Sequence, residues 1–132
     1  MKRRELREHA FKLIFSGHEG ILPEEGIAFY LSDNEIKGKD AKELTEKVNL
    51  VFSNLEKVDE VIAANVKGYA FDRISKVSLA VLRLGVAEML FDETVPDGVA
   101  VSEAMAIAET FEDEKTKTFV NGVLGAVSRG KE

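Results

Sequence analysis

The sequence predicts an all-α fold in which the helices pack as a bundle. Apolar residues recur at helical spacing along most of the chain, and no segment alternates apolar and polar residues as a half-buried strand does. Only two prolines interrupt 132 residues that are rich in alanine, leucine, valine, glutamate and lysine. A chain of this length buries a substantial core, so we expect a single domain over residues 1–132 with about six or seven helices.

The amino-terminal half is expected to contain the first to fourth helices. An apolar stripe predicts the first helix over residues 3–16. The second helix is short, because Pro23 and two acidic residues begin it and it ends near Ser32. The third helix is expected to begin at Asp40, and the fourth to end at Gly68.

The carboxy-terminal half is organised around segment 75–91. Its apolar residues occupy every side of the helical wheel, which predicts the buried central helix, and the segment is too short to span a membrane. Arg83 and Glu88 interrupt it on different sides, so each is expected to pair with a neighbouring helix. A turn is predicted at 96–98, and after one more amphipathic helix Asp113 begins the last one.

The charge is unevenly distributed along the chain. The net charge is −6, but residues 1–12 carry five basic and two acidic residues, and the rest of the chain is strongly acidic. A local cationic patch on an acidic body can bind an anion, while the body repels polyanions elsewhere. The start of the sequence is too charged for a secretory signal, so we expect a cytoplasmic protein.

Sequence patterns typical of catalysis are missing. The absence of cysteine excludes disulfide bonds, thiolate zinc sites, iron–sulfur clusters and cysteine nucleophiles. Glu8 and His9 lack the second histidine of a zinc protease helix, and there is no glycine-rich phosphate loop or nucleophile elbow. We therefore expect a protein that is not an enzyme and that uses neither a metal nor a cofactor.

The arginines of the first helix lie in an unusual sector. Arg3, Arg4 and Arg7 fall on the side of Phe11 and Ile14, whereas a solvated charged face would lie opposite the apolar stripe. They also occupy the first turns, where cations oppose the helix dipole. Two interpretations are open: the guanidinium groups bind an anionic ligand, gripping phosphates and stacking on bases, or they form salt bridges with carboxylates of this acidic chain.

Two lysines lie near the start of the last helix. Lys115 and Lys117 interrupt the acidic run EDEKTKTF, close to a helix amino terminus whose free amides could hold a phosphate. The alternative interpretation is an ordinary solvated first turn.

Three aromatic residues could stack on unpaired bases. Phe11 and Phe15 lie at the helical spacing that is typical of a core, whereas Tyr69 follows a glycine in a loop and is expected to be the most exposed of the three. In the last helix, Asn121 and Gly122 indicate a buried hydrogen bond and close helix packing, respectively.

Several blocks of the sequence resemble the bacterial NusB family. They are RRELREHAFKLIF at the start, DRISKVSLAVLRLGVAEML and VAVSEAMAIAETF further on, and above all KTFVNGVL near the end. The blocks occur in order across nearly the whole chain, and the resemblance is weakest over 18–50. It implies an all-helical fold made of two helical halves.

The resemblance also implies a role in processive transcription antitermination, especially of ribosomal RNA operons. NusB proteins bind the single-stranded boxA element of nascent RNA together with NusE, which is also a small-subunit ribosomal protein. The complex then joins elongating RNA polymerase, and NusB itself is not an enzyme. RNA and NusE are expected to enhance each other's binding, and no membrane is involved.

The resemblance assigns candidate residues to both surfaces. With Tyr69 added from its loop position, the candidate RNA-binding residues are Lys2, Arg3, Arg4, Arg7, Tyr69, Lys115, Lys117 and Thr118. The candidate NusE-binding residues are Phe15, Asp72 and Ser78. Phe15 replaces the usual tyrosine and Ser78 a common acidic residue, so each position lacks one polar contact of the family. The alternative function is a protein–protein interaction module, or a homodimer that covers the arginines, without RNA binding of its own.

Overall fold

The computed structural model describes residues 1–19, 24–68, 70–111 and 113–131, and all regular structure in these ranges is helical. The helices are α1 (Arg3–Ser16), α2 (Glu24–Asp33), α3 (Gly38–Phe52), α4 (Leu55–Asn65), α5 (Lys76–Phe91), α6 (Asp97–Phe111) and α7 (Glu114–Gly130), with a 3-10 helix (Phe71–Arg73) before α5. The predicted all-α class is confirmed.

Helix α5 is the centre of the fold, as its pattern predicts. Every residue from Ser78 to Met89 is buried, and α1, α3, α4, α6 and α7 all pack against this helix. Gly85 allows α6 and α7 to pack closely on α5, because a Cβ atom at this position would lie 3.1 Å from Leu124 Cδ2 and 3.5 Å from Ala104 Cβ. Nonpolar contact on all sides explains why the sequence of α5 has no polar face.

Helix α1 has the predicted bounds and packs against α3, α5 and α6. Its buried stripe includes Leu6, Ala10, Leu13 and Ile14, and Arg7 belongs to the same stripe. The first turns of α1 therefore lie beside the carboxy-terminal part of α5 and beside α6, where the candidate site is built.

Other helix boundaries differ from the predictions by a few residues. Helix α3 begins at Gly38, whose φ of +61° is favoured by glycine, and not at Asp40. Helix α6 begins at Asp97, inside the segment predicted as a turn. The predicted start of α2 at Pro23 lies outside the described residues.

The predictions for Asn121 and Gly122 are wrong. Both residues are exposed on α7, and nothing lies within 4 Å of a Cβ atom built on Gly122. The buried face of α7 is formed instead by Val120, Val123 and Leu124. The glycine that serves helix packing is therefore in α5.

None of the helices in the described ranges is long and apolar enough to cross a membrane.

Candidate nucleic-acid interface

Arg4 projects from the start of α1, and one carboxylate, that of Glu103, binds its guanidinium group. Its Nε and Nη2 atoms donate hydrogen bonds to Glu103 Oε2 of α6 at 3.2 and 2.7 Å. The Arg4 side chain is nevertheless 61% exposed, so the remainder of its guanidinium group faces solvent. The hydrogen bond to Glu103 raises the pKa of Arg4, which keeps the group charged.

Arg7 does not lie on the surface. Its side chain is 5% exposed, and Nε and Nη2 donate to the Glu88 carboxylate of α5 at 3.0 to 3.1 Å. Nη1 lies 3.5 Å from Glu103 Oε1. The expectation that Arg7 is an open phosphate contact is therefore wrong, because helix geometry points this residue at α5 and its donors are already used.

Arg7 belongs to an ion-pair cluster that joins four helices. In α3, Lys47 Nζ lies 3.0 Å from Glu88 Oε2 and 2.6 Å from Asp92 Oδ2. The cluster contains three cations and three carboxylates, so it is formally neutral; its members are Arg4, Arg7, Lys47, Glu88, Asp92 and Glu103. The cluster fixes the start of α1 relative to α3, α5 and α6.

The predicted pairing of both charges in the central helix is confirmed. Glu88 pairs with Arg7 and Lys47, whereas Arg83 donates from Nε and Nη2 to the Asp59 carboxylate of α4, both at 2.9 Å. Arg83 Nη1 also donates to the backbone oxygen of His18 at 3.0 Å. Both residues are structural, because their charged groups are satisfied inside the protein.

Lys2 and Arg3 are the open cations of the amino end. Both are exposed, and among the described residues neither side chain forms an ion pair or a hydrogen bond. Lys2, Arg3 and Arg4 form what we call the cationic edge. For these three residues the structure leaves charged groups open to solvent, as phosphate binding requires.

The start of α7 fits the solvated-turn interpretation better than that of a phosphate seat. Asp113 caps the helix, and its Oδ1 atom accepts hydrogen bonds from Thr116 N at 2.8 Å and Thr116 Oγ1 at 2.7 Å. Lys117 lies 2.9 Å from Glu114 Oε1, and Thr118 Oγ1 donates to the Glu114 carbonyl at 3.0 Å. Of the two lysines only Lys115 remains exposed without an ion pair among the described residues.

A second surface lies where α1, α5 and α6 meet. Phe15 and Phe111 are 39% and 42% exposed, and they flank a shallow apolar pocket of about 220 Å³. Phe11 forms its floor, with its ring centroid 5.0 Å from that of Phe111. We call this surface the phenylalanine patch; it comprises Phe11, Lys12, Phe15, Val77 and Phe111.

The remaining candidates differ in position. Asp72 is exposed in the 3-10 helix, but Ser78 is 2% exposed in the first turns of α5. The expectation that Ser78 contacts a partner is wrong, because its side chain faces the interior. Tyr69 lies outside the described residues. Phe111 lies at the spacing of an apolar helix face, and no feature of the sequence distinguishes it as exposed.

No group of three or more histidine, cysteine, aspartate or glutamate residues in the described part of the chain could hold a metal ion.

Comparison with known proteins assigns the family. The model of the NusB family matches residues 4–129. The chain belongs to the NusB family. It is 33% identical over 133 residues to the transcription antitermination protein NusB of Finegoldia magna, with 100% of this chain and 97% of the relative covered. It is 37% identical over 132 residues to that of Acetivibrio thermocellus, with coverages of 99% and 91%.

The fold is also that of a solved NusB-family complex. A chain in the crystal structure of antitermination factors NusB and NusE in complex with dsRNA superposes with a TM-score of 0.85 at 29% identity. The match covers 97% of this chain and 96% of that chain. The resemblance read from the sequence blocks is therefore confirmed at the level of family and fold.

Proposed function

We propose that this chain is a transcription antitermination factor that binds boxA-type single-stranded RNA together with NusE and promotes processive transcription of ribosomal RNA operons. The relatives are named transcription antitermination protein NusB, and a related structure contains NusB and NusE in complex with dsRNA. In this role the chain acts in the cytoplasm as a binding factor without catalysis or a cofactor. The complex that it forms with RNA and NusE joins elongating RNA polymerase.

The cationic edge is the observation that carries the RNA part of the proposal. Lys2, Arg3 and Arg4 are exposed on a chain of net charge −6, so phosphates are attracted here and repelled by most of the remaining surface. Lys115 extends the contact from the start of α7, which packs against α6. Arg7 takes part only as a positioning residue, since it holds the carboxylate of Glu103 that in turn orients Arg4.

The phenylalanine patch supports the NusE part of the proposal. Aromatic side chains that are exposed around an apolar pocket in the free protein are typical of surfaces that a partner protein buries at the centre of an interface. Asp72 is exposed in the 3-10 helix and supplies a polar contact at the edge. Because the cationic edge is short, NusE is expected to lengthen the RNA-binding surface, so each ligand enhances binding of the other.

The test is fluorescence anisotropy of a labelled boxA-type single strand, with and without NusE, at two salt concentrations. Replacement of Arg3 and Arg4 by alanine is expected to weaken RNA binding at least tenfold. The control is Lys57→Ala, which removes an exposed cation from α4 and should leave binding unchanged. A duplex of the same sequence tests the preference for a single strand.

Two results would overturn the proposal in different ways. Unchanged RNA binding by the double variant would remove the cationic edge as the site. Binding of NusE without any binding of RNA would establish the interaction module in place of the RNA-binding factor.

A further inference from the structure

A second pocket lies beside the cationic edge. It has a volume of about 410 Å³ and opens between α1, α3 and the segment that joins α5 to α6. This volume lies in the range of about 300–1,000 Å³ that is typical of small-ligand pockets. Arg3 forms part of its wall, and we call it the Arg3 pocket. Its apolar residues are Leu6, Leu50, Phe91 and Val95.

The charges of this pocket disfavour a phosphate inside it. Lys47 and Asp92 line the wall but pair with each other at 2.6 Å, and Arg7 is paired with Glu88. The groups left to meet a ligand are therefore the Arg3 guanidinium and two carboxylates of α3. Glu46 forms no ion pair with a described residue, and Glu43 has only Lys39 at 3.7 Å.

A neutral planar group fits these walls better than an anion does. The apolar residues offer a surface for stacking, with Phe91 as the aromatic member. Carboxylates accept hydrogen bonds from amino groups, and the Arg3 guanidinium remains available for a phosphate at the rim. The base of an RNA nucleotide is such a group, and its phosphate belongs outside.

We propose that the Arg3 pocket takes one unpaired base of the bound RNA while Arg3 holds the adjoining phosphate. This inference rests on the proposed RNA-binding function. Cytosine, adenine and guanine carry exocyclic amino groups that can donate hydrogen bonds to the carboxylates of Glu43 and Glu46. Uracil has only its N3–H as a donor. The pocket therefore prefers an amino-bearing base over uracil.

A pocket-filling variant tests the proposal by the same anisotropy measurement. Thr94 lines the pocket from the α5–α6 segment, and Thr94→Trp is expected to weaken binding of the single strand about tenfold. The salt dependence should stay that of the parent, because the phosphate contacts remain. The matched control is Glu93→Trp, which places the same ring on the exposed neighbouring residue and should bind as the parent does.

A second variant tests base preference without filling the pocket. Parent protein is expected to bind oligocytidylate at least fivefold more tightly than oligouridylate of equal length. Glu46→Gln replaces an acceptor carboxylate by an amide that also donates, so this ratio should fall towards one. Glu60→Gln, on α4, removes the same charge elsewhere and should leave the ratio unchanged.

The outcomes separate this inference from the proposed function. If the parent binds RNA and loses affinity on Arg3→Ala, but Thr94→Trp and Glu46→Gln have no effect, the base pocket is wrong and the RNA-binding function stands. Absence of RNA binding by the parent overturns both. Loss of NusE binding by Thr94→Trp in the absence of RNA would assign the pocket to the protein partner.

Discussion

Arg7 and Glu88 lie 81 residues apart in the sequence, yet their side chains form a buried ion pair with Nη2 and Oε2 3.0 Å apart. The pair joins the start of α1 to the end of α5. The ion pair with Glu88 accounts for the position of Arg7 among the apolar residues of α1, so no ligand is needed to explain it. The cationic edge is consequently presented by a rigid support.

Removal of Arg7 is expected to destabilise the protein strongly. Arg7→Met leaves the buried Glu88 carboxylate with Lys47 alone, and breaking such a pair costs about 3 kcal/mol or more in the free energy of unfolding. Urea denaturation at pH 7 measures the loss. The control is Arg3→Met, one turn earlier on the same helix, which should change stability by less than about 0.5 kcal/mol because Arg3 is exposed. Equal stability of the two variants would show that the ion pair contributes nothing.

The salt dependence of RNA binding should report the number of open cations. Lys2, Arg3, Arg4 and Lys115 are exposed, and each phosphate contact on a single strand contributes a slope of about −0.7 in log K against log salt. We therefore expect a slope of about −3 for the parent and of about −2 for Arg3→Ala. A parent slope near zero would mean that binding does not depend on phosphate contacts.

A separate prediction concerns the binding of NusE to the phenylalanine patch. Phe15→Ala should weaken NusE binding at least tenfold, because truncation removes an apolar side chain that the partner buries. Thermal unfolding should change little, since the Phe15 side chain is already partly exposed. The matched control is Phe29→Ala on α2, where the phenylalanine is 72% exposed and far from the patch in sequence. Comparable losses for both variants, measured by isothermal titration calorimetry, would argue against the patch.

The lowered pKa of Asp92 predicts that the stability of the protein depends on pH. Burial favours its neutral form, but hydrogen bonds from Lys47 and Thr94 outweigh burial and lower the pKa of the carboxyl from 3.8 to about 2. A pKa that is lower in the folded than in the unfolded state stabilises the fold above about pH 4, and this stabilisation is lost as the pH falls towards 2.

The variant Asp92→Asn isolates this contribution. It should be less stable than the parent by about 1 kcal/mol at pH 7, a value that allows for solvent screening of a partly exposed group. The difference should shrink between pH 4 and pH 2, as measured by urea denaturation. Asp33→Asn, on the exposed end of α2, should show no such change. A constant difference across this range would contradict the assignment.

Local pattern was sufficient to predict the helices that position the site. The bounds of α1 and the burial of α5 follow from periodicity and from nonpolar residues on all sides, which are properties of each segment alone. Pairing of Arg83 and Glu88 could be predicted because a buried charge requires a partner, although the partner itself could not be named. The family followed from the order of several sequence blocks.

The candidate site was harder to predict because exposure depends on neighbours distant in the sequence. The helical wheel places Arg7 beside Ile14, but only the packed structure brings Glu88 and Glu103 to it. Ser78 is buried for the same kind of reason. Phe111 is left partly uncovered at the end of α6, which no periodicity reveals.

The sharing of Glu103 between Arg4 and Arg7 has a consequence for synthesis of the protein. During translation α1 leaves the ribosome long before α6, so its arginines first meet solvent without the carboxylates that later restrain them. An unfinished chain thus displays more unneutralised positive charge at its amino end than the mature one does. Arg7 withdraws from competition for nearby nucleic acid once Glu88 has been added and packed, and Arg4 is restrained only after Glu103 follows.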